Sequence, residues 1–357
     1  MSRVLAIDAG TTGVTALVVA GDARVVAKGY REFPQHFPKP GWVEHDALQI
    51  WDATLAAVAE ALKAARLEAH DLAAIGITNQ RETTVLWDRK TLTPVHHAIV
   101  WQDRRTAERC DELRSEEPRI RDRTGLVLDA YFSATKIAWL LANVPGLRKR
   151  AENGEIAFGT IDTWVLAKLT NGSRHATDYS NASRTLLYDI YARRWSNELL
   201  GTFDVPDNLL PDVAPSSGRF GETDPDAFFG ARVAVSGIAG DQQSALFGQA
   251  CFEPGMTKNT YGTGSFVLMN TGDQAPPPPE GLLVTLACGR GGAVVYALEG
   301  SIFITGAAIQ WLRDGLGVIK AASETGPLAE SVPDTGGVYF VPAMTGLGSP
   351  YWDPYAR

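Results

Sequence analysis

A short glycine- and threonine-rich turn leading into an apolar strand occurs twice in this chain, and that repeat limits the fold more than any other feature of the sequence. The first copy, Asp8-Ala-Gly-Thr-Thr-Gly13, closes an apolar run at 4–7 and opens another at 14–20, with a third strand at 24–30. The second, Asn259-Thr-Tyr-Gly-Thr-Gly264, leads into Ser265-Phe-Val-Leu-Met-Asn270. After the first turn, the apolar spacing of Leu48, Ile50, Trp51, Leu55, Val58, Ala59 and Leu62 predicts a helix over 46–66 with Asp46 as its N-cap, then a strand at 72–78. Further strands are expected at 84–87 and 98–101, and helices from 104 and over 133–143. After the second turn the order returns: strand 293–298, helix 302–316, strand 338–342. Strands interleaved with helices of this length indicate a layered α/β architecture. The duplication predicts two related units, 1–237 and 238–357, the second expected to be truncated at its C-terminal end because helices that should cover its sheet are absent. The Pro276–Pro279 run reads as a stiff loop inside the second unit.

Composition narrows the function. Lys plus Arg number 33 against 41 Asp plus Glu, a net charge of −8, which argues against a nucleic-acid partner or an anionic membrane surface. Cys110, Cys251 and Cys288 are far apart and in no CxxC spacing, so neither a disulfide framework nor a thiolate metal cage is indicated, and a cytoplasmic location is expected. The N-terminal apolar run is too short for a signal peptide, and no window approaches the roughly 20 apolar residues that span a bilayer.

Taken alone, the first turn has two readings. Its backbone N–H groups and the hydroxyls of Thr11 and Thr12 suit phosphate oxygens, with Asp8 placed to hold the water shell of Mg²⁺; equally, it is an ordinary hairpin turn with a capping Asp. The echo at Thr263 favours the first, because two such turns from related units can grip one polyphosphate across a cleft. Between the units, Ser236-Gly-Ile-Ala-Gly-Asp-Gln-Gln243 ends an apolar strand in small residues and presents Asp241 beside an amide. That carboxylate suits either a proton acceptor for an attacking hydroxyl or a helix cap.

These segments, with Thr78-Asn-Gln-Arg-Glu-Thr83, Trp101-Gln-Asp-Arg104, Tyr131-Phe-Ser-Ala-Thr-Lys136 and Gly306-Ala-Ala-Ile-Gln-Trp-Leu-Arg-Asp314, together resemble the FGGY carbohydrate kinase family, in its glycerol branch. The match runs in order through essentially the whole chain. The resemblance implies duplicated actin-like, ribonuclease-H-like domains around an interdomain cleft, and ATP-dependent phosphorylation of glycerol to sn-glycerol 3-phosphate. It implies Asp241 as general base with Gln242 beside it, and Arg81, Glu82 and Tyr131 as hydroxyl contacts. Trp101 and Phe266 become apolar walls, Asp8 the Mg²⁺-associated acid, Thr11, Thr12, Gly13 and Thr263 phosphate contacts, and Gly306 and Gln310 the nucleotide side. Read bare, Arg81-Glu82 is a surface ion pair and the two aromatics are core residues. The resemblance has departures: Thr15 stands where the family often has Arg, 221–233 lacks a fructose 1,6-bisphosphate loop, and the later adenosine-binding segment has no counterpart. Glycerol and ATP are the expected partners, with a homo-oligomer left open for the full-length protein; another FGGY polyol or sugar kinase and a non-catalytic glycerol-binding fragment are the alternatives.

Overall fold

The computed structural model describes residues 2–356. Strand β1 (Arg3–Ala9) pairs antiparallel with β2 (Gly13–Ala20), and β2 with β3 (Val25–Glu32). Leu5, Ile7 and Ala9 alternate with Val14, Ala16 and Val18 to line one buried face. That face is covered by α1 (Ala47–Ala65), whose N-cap Asp46 accepts from the Leu48 amide at 2.8 Å. Its inward stripe of Ile50, Ala57, Val58 and Ala61 is fully buried on the sheet. The packing is close enough that a Cβ on Gly29 of β3 would sit 2.0 Å from the Ala57 carbonyl oxygen.

The next strand, β4 (Leu72–Asn79), runs parallel to β1. After it come α2 (Ser133–Asn143) and α3 (Ile161–Leu169); Trp164 of α3 donates its indole N–H to Ala47 at the start of α1. Strands β5 (Ser217–Glu222) and β6 (Ala234–Gly240) complete a six-stranded sheet in the order β5-β6-β4-β1-β2-β3, with β6 parallel to β4. Helix α4 (Asp241–Gly248) then leads into a second, antiparallel sheet: β7 (Thr257–Tyr261), β8 (Ser265–Gly272), β9 (Leu283–Cys288) and β10 (Val294–Ile302), in the order β7-β8-β10-β9. A shared apolar core joins this sheet to the first unit, with Phe266, Leu268, Leu283 and Phe303 packed in one cluster with Tyr131, Phe132 and Leu186.

Two expected elements differ. The helix expected over 302–316 begins only at Gly306, as α5 (Gly306–Gln310) followed by a π-helical turn at Trp311–Gly315. Pairing of Ile302 with Ser265 keeps the chain extended to that point, and helix formation starts where the Gly306 N–H reaches the Gly262 carbonyl at 2.9 Å. The strand expected at 338–342 does not form. Tyr339 is 90% exposed, and its segment lies along no neighbouring strand that could satisfy its amides. Phe340 instead stacks on Trp311 at 5.5 Å.

Gly29→Ala is expected to force α1 off β3 and to destabilise the chain by about 1–3 kcal/mol, read as a lower urea midpoint; an unchanged midpoint would show slack at this contact.

Candidate active site

Parallel strands β1, β4 and β6 end side by side, Asp8 opposite Thr78, Ala9 opposite Asn79, and Asn79 opposite Gly240. The residues that follow those ends therefore converge on one rim, the usual ligand side of such a sheet. From β1 come Asp8 and the first turn, from β4 Gln80-Arg81-Glu82, and from β6 Asp241. A cavity of about 190 Å³ opens there, lined by Thr11, Thr12, Arg81, Glu82, Trp101, Tyr131, Asp241, Gln242, Thr263 and Phe266.

Arg81 and Glu82 are not a surface pair: they are 2% and 1% exposed, and their own contact is loose at 3.8 Å. Glu82 has φ 61°, a left-handed conformation costing of order 1 kcal/mol or more for a branched-chain-free residue. It is held there because the Thr84 and Ser133 hydroxyls both donate to its carbonyl, at 3.1 and 3.0 Å. Its Oε1 accepts from Arg184 at 2.6 Å, while Oε2 accepts nothing among the described residues and remains available to a ligand hydroxyl. Arg81 spends its terminal nitrogens inside the protein: Nη1 donates to Gln243 (3.2 Å) and Glu299 (2.6 Å), Nη2 to Tyr131 (3.3 Å) and Glu299 (3.0 Å). Its Nε lies 3.3 Å from Asp241 Oδ1. The Tyr131 phenol is kept protonated by burial, which pushes its pKa up, so it retains a hydroxyl proton to donate. Trp101 and Phe266 face the cavity with ring centroids 6.0 Å apart at 74°, and the Trp101 indole N–H is anchored on the Thr11 hydroxyl at 3.0 Å. Both aromatics are under 10% exposed, packed in the core while bordering the cavity.

Asp241 opens α4; the cap position itself belongs to Gly240. Its carboxylate accepts from the Gln242 backbone N–H (2.7 Å) and from Gln242 Nε2 (3.0 Å). The amide is held in that orientation by Lys258, whose ammonium donates to Gln242 Oε1 and also to Thr260 Oγ (2.9 Å) and the Phe266 carbonyl (3.1 Å). Burial lowers the Lys258 pKa to about 8. Lys136, fully buried, fixes the other wall by donating to the carbonyls of Tyr131 (2.6 Å) and Phe132 (3.3 Å).

The backbone N–H groups of Thr11, Thr12, Thr263 and Gly264 find no acceptor among the described residues, which leaves each turn with free donors beside the cavity. The second turn is clamped from behind by α5, with Gly306 and Ala307 donating to the Gly262 and Thr263 carbonyls at 2.9 and 3.1 Å. Four expected site residues, Gly13, Gly306, Gln310 and Asp8, lie outside the cavity lining. Gly13 packs against β3, where a Cβ would sit 2.7 Å from the Arg31 carbonyl oxygen; Gly306 supports the turn; Gln310 is exposed at the end of α5. Asp8 is exposed and has no hydrogen bond or ion pair among the described residues. Desolvation and the charge of Asp241 raise its pKa to about 6. Asp8, whose oxygens accept nothing among the described residues, with the Asp241 carboxylate near enough to repel it, suits the water shell of a hard divalent cation.

Glu299, Arg184, Gln243, Lys258 and Lys136 were not singled out as site residues by the sequence. Their roles depend on contacts 2–218 residues away along the chain, and only Lys136 and Gln243 lie inside motifs that could have drawn attention to them.

Two α/β units, each offering a phosphate-suited turn to a cleft that holds one uncommitted acid, define a phosphotransferase of actin-like fold. Residues 3–248 match the N-terminal domain and 257–357 the C-terminal domain of the FGGY family of carbohydrate kinases, and the chain belongs to that family. It is 58% identical over 356 residues to the glycerol kinase of Carboxydothermus hydrogenoformans, covering 99% of this chain and 71% of that protein. It is equally 58% identical to the glycerol kinase of Halorhodospira halophila, with 99% and 70% covered. The crystal structure of Plasmodium falciparum glycerol kinase with ADP superposes with a TM-score of 0.85 at 35% identity, covering 100% of this chain and 72% of that one.

A Cβ at position 240 would meet Arg81 Cδ at 2.7 Å and Cγ at 2.8 Å. Gly240→Ala is therefore expected to displace Arg81 and weaken polyol binding by about tenfold or more in calorimetry, given overpacking costs of roughly 1–3 kcal/mol; unchanged affinity would separate Arg81 from the binding site. Because the folded pKa of Asp8 lies above its ordinary 3.8, its ionised form is disfavoured in the folded chain. Asp8→Asn should raise the melting temperature by an amount that grows between pH 4 and pH 6 and is constant above, and a flat difference across that window would contradict the shift.

Proposed function

We infer that this chain phosphorylates glycerol with ATP, giving sn-glycerol 3-phosphate and ADP by in-line transfer. The observation that carries the reading is the small cavity in which hydroxyl-binding groups, two flat apolar walls and Asp241 face one another. A three-carbon triol needs that combination: donors and acceptors for its hydroxyls, and apolar surface for its carbon chain. The names of the relatives reported above support glycerol over another acceptor, and the ADP in the Plasmodium structure supports an adenine nucleotide.

In this mechanism Glu82 Oε2 accepts from one glycerol hydroxyl, while Arg81 and Tyr131 donate to its neighbours. Trp101 and Phe266 fix the carbon chain between them. Asp241, steadied by Gln242, takes the proton of the reacting terminal hydroxyl as its oxygen attacks the γ-phosphorus, and the leaving group is ADP. Thr11, Thr12 and Gly13 from the first turn and Thr263 from the second address the phosphates, with Gly306 and Gln310 on the nucleotide side of the cleft. Mg²⁺, held at Asp8 largely through water, would supply charge neutralisation on the phosphates. Residues 1–237 thus carry polyol and phosphate contacts, and residues 238–357 supply the nucleotide side together with Asp241, Gln242 and Phe266. Catalysis here is positioning and electrostatics, which gives closure of the units as much weight as any single side chain. No helix among the described residues is long and apolar enough to cross a membrane. A cytoplasmic enzyme that forms homo-oligomers is the setting we propose.

A coupled ADP-release assay with glycerol, erythritol, xylulose and no acceptor tests this. Asp241→Asn should lower glycerol-dependent turnover by roughly 10²–10⁴-fold while leaving the glycerol dissociation constant within a few-fold. Turnover that survives Asp241→Asn removes this residue from the proton-accepting role, and a stronger response to another acceptor overturns the choice of glycerol.

A further inference from the structure

Four charged side chains meet at the floor of the cleft, and one of them comes from the second unit. Glu299, mid-strand in β10, receives both terminal nitrogens of Arg81, at 2.6 and 3.0 Å. Its Oε1 also accepts from Arg184 at 2.9 Å and from the Ser301 hydroxyl at 2.8 Å. Arg184 in turn donates through Nε to Glu82 at 2.6 Å, and Glu82 adjoins Arg81 in the chain, which closes a ring. All four are 2% exposed or less. The two arginines hold the Glu299 carboxyl down to about 2, so it stays ionised throughout the working pH range.

Burying four ions is a poor source of stability by itself, because desolvation offsets most of their attraction. The geometric consequence is specific. Two other carboxylates approach the Arg81 guanidinium, Asp241 at 3.3 Å and Glu82 at 3.8 Å, both at Nε. While Glu299 occupies the Arg81 fork, Asp241 meets only the edge of the guanidinium. Without Glu299 the fork can turn onto Asp241 and mask the carboxylate.

We propose that Glu299 is a positioning residue for phosphoryl transfer, holding the Arg81 fork away from Asp241 and, through Arg184, setting Glu82, so that the acceptor site of the first unit is correctly formed only when β10 of the second is seated against it. The proposal rests on Asp241 being the proton acceptor, as argued above. It adds a residue of the nucleotide-side unit to the machinery that orients the polyol, and it gives seating of that unit a route to the reacting hydroxyl.

The test compares wild type with E299Q, E299D, R184M and E299Q/R184M, each checked for a cooperative melt. Turnover at saturating glycerol should fall roughly 100-fold in E299Q and about 10-fold in E299D, which keeps the charge on a shorter arm, with a smaller change in glycerol affinity. R184M should resemble E299Q, and the double variant should be no worse than E299Q, because members of one network are not additive. A crystal structure of E299Q should show Arg81 paired with Asp241. An Arg81 that has not moved, or losses that multiply in the double variant, overturns the proposal. Should E299Q not fold, E299D and R184M decide: full turnover in both overturns it, and a shared loss of turnover that exceeds the loss of affinity sustains it. A wild type without glycerol-dependent turnover overturns the functional reading instead, and the Arg81 position in E299Q or E299D then judges the ring by itself.

Discussion

The ion pair between Arg81 and Glu299 spans the two units of this molecule, and the cleft depends on it more than on any other contact. A guanidinium this deeply buried is tolerable only if its donors are satisfied, and four of its five N–H bonds are committed to Glu299, Gln243 and Tyr131. Those commitments decide which edge of Arg81 meets Asp241. They also tie the second sheet to the end of β4, so the floor of the cavity is made jointly by both units. The aromatic cluster of Trp101, Tyr131, Phe266 and Phe303 packs above the same joint, excluding water from the charges beneath it.

The rest of the site follows from strand geometry. Three parallel strands in a row end on one side of a sheet, and each end delivers a different group: a carboxylate and a turn from β1, the strained Arg-Glu pair from β4, and the acid of α4 from β6. The second sheet repeats the strand–turn–strand plan of the first, so a matching turn meets the cleft from the other side. In both turns small residues let the backbone bend tightly while leaving amides unpaired, which is the property a phosphate requires.

Local pattern was enough to read much of this in the sequence. The period-2 alternation of β1 and β2, the helical stripe and Asp46 cap of α1, and the two turns all carry their signal within a few residues. The cavity-lining residues Arg81, Trp101, Tyr131, Asp241 and Phe266 were legible because they lie in ordered motifs with a family resemblance. What was not legible depends on distance. Glu299 is an unremarkable residue in an apolar strand until Arg81 and Arg184 are brought to it from more than a hundred positions away. Lys258 reads as one polar residue of a hairpin until its ammonium is seen against the Gln242 amide. The apolar run at 338–342 misled for the complementary reason: strand formation needs a neighbour, and hydrophobicity alone does not supply one.

One cleft thus moves the γ-phosphoryl group of ATP to a terminal hydroxyl of glycerol. Phosphorus NMR follows both halves of that transfer at once, with the chain, Mg²⁺-ATP and glycerol in one tube. The γ-phosphate resonance should be replaced by the ADP signals and by a phosphomonoester signal of glycerol 3-phosphate in equal amounts. Inorganic phosphate appearing in place of the monoester would contradict it.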